Sequence, residues 1–300
     1  MNTKRLGMVG WMGLFAVGFG EERSEPQPPI DGIRDNSFLI EEAYNQEPGV
    51  VQHVWTARFG ADHRDGANSR TWDLDFSQEW PIFTQRHQFA YAIPYAFVDE
   101  DAENASGIGD VELNYRYQLF MEEEGLPAVS PSLSLILPTG DEDRGFGTGR
   151  VGYSFNLPVS KTISSRMYMN LNAGVTLTPG VQARLSTNRR SREFDLLDFN
   201  VGASVFYALT EKFHVVLEAT WESIERIEEF DPRGSRRPRR RRERGDEVTL
   251  APGFRWAWDL PGDLQIVPGV AFPIGLTEQT VDYGVFLYFS VEHPFTTTTN

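Results

Sequence analysis

In the stretch TWDLDFSQEW, residues 71–80, Trp72, Leu74, Phe76 and Trp80 alternate with Asp73, Asp75, Ser77 and Glu79. Successive side chains of an extended chain point to opposite faces, so this segment is a strand with one apolar face and one ionised face. Both faces need a home. In a soluble sheet the apolar face would meet a protein core; in a transmembrane barrel it would meet lipid.

The same alternation recurs at 89–97, 111–119, 133–137, 151–159, 167–177, 197–207, 213–221, 248–258, 264–274 and 283–291. A first segment at 50–59 is ambiguous in its facing. That gives twelve segments near the ~9–11 residues a tilted transmembrane strand requires. The face opposite the apolar one carries Asp73, Asp75, Glu79, Asp110, Glu112, Asn114, Arg116, Gln118, Asn170, Asn172, Asp198, Asn200, His214, Glu218, Glu222 and Arg255, with glycines and alanines between. A polar interior under an aliphatic and aromatic exterior is the pattern of a membrane barrel. Tyr and Trp near segment ends (Trp72, Trp80, Tyr95, Tyr207, Trp221, Trp258, Tyr283) suit interfacial girdles. Slipping the second segment by one residue would turn Asp73, Asp75 and Glu79 to lipid. For a basic charge at mid-bilayer that costs roughly 2–4 kcal/mol, and less for acids, so the register is strongly specified.

The connections sort by length. Longer polar stretches follow odd-numbered segments (ADHRDGANSR, DEDAENASGIG, TGDEDRGFGTG, TPGVQARLSTNRRSRE and the arginine-rich 236–245). Short ones follow even-numbered segments (PIFTQR, MEEEGLP, SKTISSR, ALTEK, DLPGD). Short periplasmic turns, longer extracellular loops and an even strand count characterise outer-membrane barrels. The eleventh connection, about 275–280, is an exception. Pro94, Pro131, Pro158, Pro252, Pro268 and Pro273 oppose the reading, since proline cannot donate to a ladder. Pro252 and Pro268 in particular call for bulges or breaks.

The expected fold class is all-β: one transmembrane antiparallel up-and-down barrel of about twelve strands. Residues 1–20 read as a secretory signal peptide, with Lys4 and Arg5 before an apolar run and Gly18 and Gly20 ahead of Glu21. Residues 21–48 form a polar, proline-containing lead whose last part, 37–48, is a short helix or irregular segment that could plug the periplasmic mouth. Residues 49–295 are the barrel and 296–300 a tail. No later apolar run approaches the ~20 residues of a membrane helix. The final segment alternates to Phe295, similar to the terminal strand by which the barrel-assembly machinery recognises its clients.

No catalytic motif is present. The chain has no cysteine, and His53, His63, His87, His214 and His293 show no metal-ligand spacing, so no metal and no cofactor are expected. A hydrolase site assembled from separate strands is the enzyme alternative. Acidic loop tips at 99–104 and 141–143 match no EF-hand. A net charge of −15 argues against nucleic acid. The arginine-rich 236–245 reads as a solvated loop or as a contact for anionic lipid headgroups or solutes. His214 reads as a member of an inward polar network. The candidate pore-lining residues are Asp73, Asp75, Glu79, Glu112, Arg116, His214, Glu218, Glu222 and Arg255. They line either a narrow path or a lumen closed by salt bridges, since twelve strands fall between a filled and an open barrel.

Three stretches, SFLIEEAYNQEPGVVQH (37–53), IPYAFVDEDAENASGIGDVELNYRYQL (93–119) and SLILPTGDEDRGFGTGR (134–150), resemble the family labelled "MetA-pathway of phenol degradation". The most specific pieces are Gly107–Ile108–Gly109–Asp110 and Leu137–Pro138–Thr139–Gly140–Asp141. The resemblance implies an outer-membrane barrel that passes small, aromatic or hydrophobic solutes. The expected partners are outer-membrane lipid and lipopolysaccharide, a small-molecule solute, and the assembly machinery. A non-conducting structural or surface-binding barrel is the alternative.

Overall fold

The computed structural model describes residues 32–33, 35–62, 69–100, 103–122, 125–183, 192–230 and 239–295. The expected signal peptide, the lead up to residue 31, the tail 296–300, and residues 63–68 (with His63), 184–191 and 231–238 lie outside the described residues.

Each alternating segment is a strand. β1 is Val50–Asp62, β2 Ser69–Ile82 and β3 Thr84–Glu100. Three strands then run in two pieces each: β4 (Glu103–Ile108, Val111–Tyr117), β5 (Ala128–Val129, Ser132–Leu137) and β6 (Gly152–Asn156, Val159–Ser164). β7 is Met167–Ala183, β8 Arg192–Thr210 and β9 Phe213–Phe230. β10 joins Arg239–Trp256 to Trp258–Leu260, β11 joins Leu264–Ala271 to Ile274–Gly275, and β12 is Tyr283–Pro294. Neighbours are antiparallel. β12 returns to β1, from Val50 opposite Pro294 to Ala61 opposite Tyr283, and the barrel closes without an edge.

Burial is inverted relative to a soluble protein. Trp72, Leu74, Ile93, Leu133, Val201, Leu217 and Leu287 are exposed, while Gln52, Gln88, Asn170, Ser204, Glu218, Arg255 and Ser290 are buried. A polar interior and an apolar exterior are stable together only with hydrocarbon outside. β1 resolves its ambiguity: Trp55 packs on the outward rings of Phe76 and Phe289, which turns Gln52 and Val54 inward.

The prolines are accommodated by their neighbours. Pro94, Pro252 and Pro268 sit inside uninterrupted strand segments, and each faces an interruption in one adjacent strand. Pro94 lies opposite the gap at Gly109–Asp110, and Gly109 N–H donates to the Pro94 carbonyl (2.9 Å). Pro252 lies opposite the gap at Phe272–Pro273, with Phe272 N–H donating to its carbonyl (2.9 Å). Pro268 lies beside the gap at Ala257. Pro252 and Pro268 do call for breaks, and the breaks fall in the strands beside them, because a missing donor is accommodated by removing the acceptor opposite it.

The arginine-rich segment also differs from expectation. Most of 236–245 is strand, with Arg239–Arg244 extending β10 along β9. Opposite charges hold the extension together: Arg244 and Arg242 both reach Glu225, at 2.8 and 3.4 Å, and Arg226 pairs with Glu247. Charged residues on a ladder read as loop in sequence, yet cross-strand ion pairs permit strand wherever both faces are wet.

Candidate functional site

The described residues of 32–48 contain no helix; they enter the lumen at the short-turn end as irregular chain and return to β1. Irregular backbone inside a barrel needs partners for its N–H and C=O groups. Here the inward side chains supply them, and all twelve strands contribute hydrogen bonds to the segment or its side chains.

At the entry, Gly32 has φ +117°, and a Cβ there would lie 1.9 Å from the Glu211 carbonyl oxygen in the β8–β9 turn, so the position requires glycine. Gln265 donates to the Gly32 carbonyl (2.7 Å). The Asp35 carboxylate accepts from Gln52 (2.5 Å), from Ser290 (2.6 Å) and from the Tyr288 hydroxyl. Arg255 donates to the Asp35 and Asn36 carbonyls (3.0 and 2.6 Å) and to the Tyr168 hydroxyl, and its guanidinium lies 4.4 Å from the Phe206 ring centroid. Asn36 reaches Glu79 at 3.2 Å, and Ser37 meets Ser204 at 3.2 Å and Asn170 at 2.9 Å.

Deeper in, the Glu218 carboxylate accepts from two consecutive backbone amides, Phe38 N–H (3.0 Å) and Leu39 N–H (2.8 Å). Phe38 is the apolar anchor and packs against Phe286 and Tyr288. Gly269 leaves room for it, since a Cβ there would stand 2.7 Å from the Phe38 ring. On the return path Asn172 exchanges two bonds with the Glu41 backbone (2.9 and 2.6 Å), Ser132 reaches the Glu41 carboxylate (3.3 Å), and Ser160 accepts from Ala43 N–H (2.8 Å). Arg116 donates to the Glu42 carbonyl (2.5 Å) and pairs with Glu79 (3.1 Å). Gln118 brackets Ala43 and Asn45, and Gln88 accepts from Gln46 N–H (2.7 Å).

Two acids of the segment are held against their chemistry. Burial pushes the Asp35 carboxyl up to about 6 and the Glu42 carboxyl up to about 7, with the Arg255 charge opposing both shifts.

Above the segment, toward the long-hairpin end, a cavity of about 490 Å³ is walled by Asp75, Glu79, Glu112, Glu222 and Glu41, with Arg116 as its one basic side chain among the described residues. Leu39 and Ile40 form part of its floor. A second space of about 250 Å³ shares Leu39, Thr220 and Glu222 with it and adds Asp73, Glu247 and Arg58. Among the described residues five acids face one base in the larger space, which makes it an acid-rich vestibule.

The nine sequence candidates therefore divide. Asp75, Glu112 and Glu222 face the vestibule and Asp73 the second space; Glu79 and Arg116 face the vestibule and also bond the inserted segment, whereas Glu218 and Arg255 lie beneath the segment and hold it. His214 is a correction: it is fully buried beside the Tyr168 ring, and among the described residues neither ring nitrogen has a hydrogen-bond partner, so it joins no polar network they form. The amide and hydroxyl groups gripping the segment (Gln52, Gln88, Ser160, Gln265) were not singled out from sequence, although for all but Gln52, whose strand was ambiguous, the inward position in the alternation was available. Among the described residues no group of three or more His, Asp or Glu gathers to hold a metal.

The two most specific sequence motifs meet at the long-hairpin rim. Asp110 accepts from Gly140 N–H (3.0 Å), Thr148 N–H (2.8 Å) and the Thr148 hydroxyl (3.0 Å). Thr139 accepts from Val111 N–H (2.9 Å) and donates to the Gly109 carbonyl (2.9 Å). The motifs thus fasten the β5–β6 connection across the β4 gap. The model of the family described as "Putative MetA-pathway of phenol degradation" matches residues 44–272, which include both motifs. The chain belongs to this family. No curated protein matches the sequence. The crystal structure of the COG4313 outer membrane channel from Pseudomonas putida F1 superimposes with a TM-score of 0.61 at 11% identity, covering 84% of this chain and 97% of that one; the two share a barrel fold. The Ralstonia pickettii toluene transporter TbuX aligns more loosely, with a TM-score of 0.40 at 10% identity over 84% of this chain and 90% of that one.

Proposed function

We propose that this family member is a bacterial outer-membrane channel for small solutes, exported by its N-terminal signal, with residues 32–48 as the gate. The observation that carries the reading is the carboxylate-walled cavity resting on an inserted segment that is fastened mainly by polar side chains. Polar contacts inside a lumen can be exchanged for water when the segment moves, which an apolar core would not permit. The vestibule's excess of acids favours cations over anions, as rings of carboxylates do in cation channels. Its polar walls suit small hydroxylated aromatics of the kind the family description names better than saturated hydrocarbons. Diffusion down a gradient needs no catalytic group, and this reading assigns none.

Planar-bilayer recording of the full chain and of a variant lacking 33–46 tests the proposal. Deletion should raise conductance, and reversal potentials in a salt gradient should show cation preference that Asp75→Asn with Glu112→Gln diminishes. Equal, negligible conductance of both proteins would favour the second reading, a non-conducting structural barrel. That reading draws support from the hydrogen bonds that all twelve strands make to the segment.

A further inference from the structure

We propose that His53 and His293 form a site for a divalent transition-metal ion (Zn²⁺, Ni²⁺ or Cu²⁺) that clasps the seam where the first and last strands close the barrel. The residues are 240 positions apart, and sequence spacing gives no hint of the pair. On the sheet they are diagonal neighbours, His53 opposite Val291 and His293 opposite Val51. Both lie near the short-turn rim, where β1 begins and β12 ends.

The Nε2 atoms are 3.3 Å apart. Two nitrogens each 2.0–2.1 Å from a tetrahedral metal stand roughly 3.3–3.4 Å from one another, so the spacing is already that of two ligands. The protonation pattern agrees. His293 Nδ1 lies 3.0 Å from the Pro294 carbonyl oxygen, which can only accept, so Nδ1 carries the hydrogen. The Nε2 lone pair of His293 is therefore turned toward His53. An Nδ1–H bond to a backbone carbonyl is also the arrangement that fixes tautomer and ring orientation in metal-bound histidines. Without metal, His53 supplies the proton between the two Nε2 atoms. Metal binding gives that Nε2 proton to solvent while Nδ1 of His53 takes one up, a change of tautomer with no net proton release, so charge and protons balance.

The His53 ring is held in place by stacking on Phe76 (12° between planes, 6.4 Å) and Trp55 (27°, 6.0 Å). Among the described residues no third His, Asp or Glu completes a set, so water fills the remaining positions and the ion exchanges rather than being locked in. The other described histidines offer no equivalent: His87 is engaged with the Tyr115 hydroxyl (2.7 Å), and His214 is enclosed.

The test uses the untagged full chain, stripped with chelator, in detergent micelles. Cu²⁺ titration followed by electron paramagnetic resonance should show one two-nitrogen site. His53→Gln and His293→Gln should each weaken it at least tenfold and to the same extent, with His87→Gln unchanged. Zn²⁺ at ten times its dissociation constant should raise the folded-to-unfolded ratio of the wild type about elevenfold and leave the two seam variants unmoved. Barrel closure of each variant is checked by the mobility of unheated protein on denaturing gels. If a variant fails to close, protection of His53 and His293 from diethylpyrocarbonate by Zn²⁺ in the wild type decides the matter. Copper affinity unaffected by His53→Gln, or no zinc protection at millimolar metal, would overturn the proposal.

Discussion

Replacing Glu218 by alanine should release the inserted segment. The carboxylate receives two amides, Phe38 N–H at 3.0 Å and Leu39 N–H at 2.8 Å, and both donors lose their partner together. Hydrogen bonds to a charged group contribute about 1.5–3 kcal/mol each, so the lower bound for the pair is about 3 kcal/mol. At 1.36 kcal/mol per decade, the ratio of docked to released segment should fall about 150-fold. The native chain has no cysteine, so Ser37→Cys gives a single reporter at a position buried in the docked state. When docking is fast relative to modification, the rate of thiol labelling follows the released population. It should rise about two orders of magnitude in Glu218→Ala over its Ser37→Cys parent. Glu222→Ala removes a carboxylate four residues along the same strand face and serves as the control, with little change expected. An unchanged labelling rate in Glu218→Ala would refute the claim that this carboxylate holds the segment.

Docking should also weaken as pH rises. Asp35 and Glu42 have docked-state values pushed up by burial to about 6 and about 7, above their ordinary 3.8 and 4.5. Groups with raised values bind protons more tightly when docked; the resulting stability is complete below about pH 4 and is lost as pH climbs toward 7. Labelling of the Ser37→Cys reporter by a dipyridyl disulfide, normalised to free cysteine, should therefore accelerate over that window, and a flat profile would contradict the assignment. At the opposite rim, Asp110→Ala deprives Gly140 and Thr148 of their shared acceptor and should loosen the β5–β6 connection by about 1–3 kcal/mol. Trypsin cleavage after Arg144 should then be faster than in the wild type, with the barrel core intact on gels.

The sequence by itself determined the fold class, the strand count and the facing of eleven of the twelve strands. Alternation is local information, and the cost of an ion in hydrocarbon permits only one register. Asp75 and Leu74 declare their sides without reference to any other residue. It also marked the two motifs at Asp110 and Thr139, though not that they fasten one another. The sequence offered 37–48 as a plug for the periplasmic mouth, but tertiary structure alone decided which groups hold the segment in the lumen. Asp35 meets Ser290 across 255 positions and Glu218 meets Phe38 across 180, contacts that exist only once β12 has closed on β1. It decided as well that prolines inside strands are answered by gaps in the strands beside them, and that two histidines at opposite ends of the barrel segment share one seam. Such pairings depend on which residues ring closure brings together, and the period-two pattern carries no information about that.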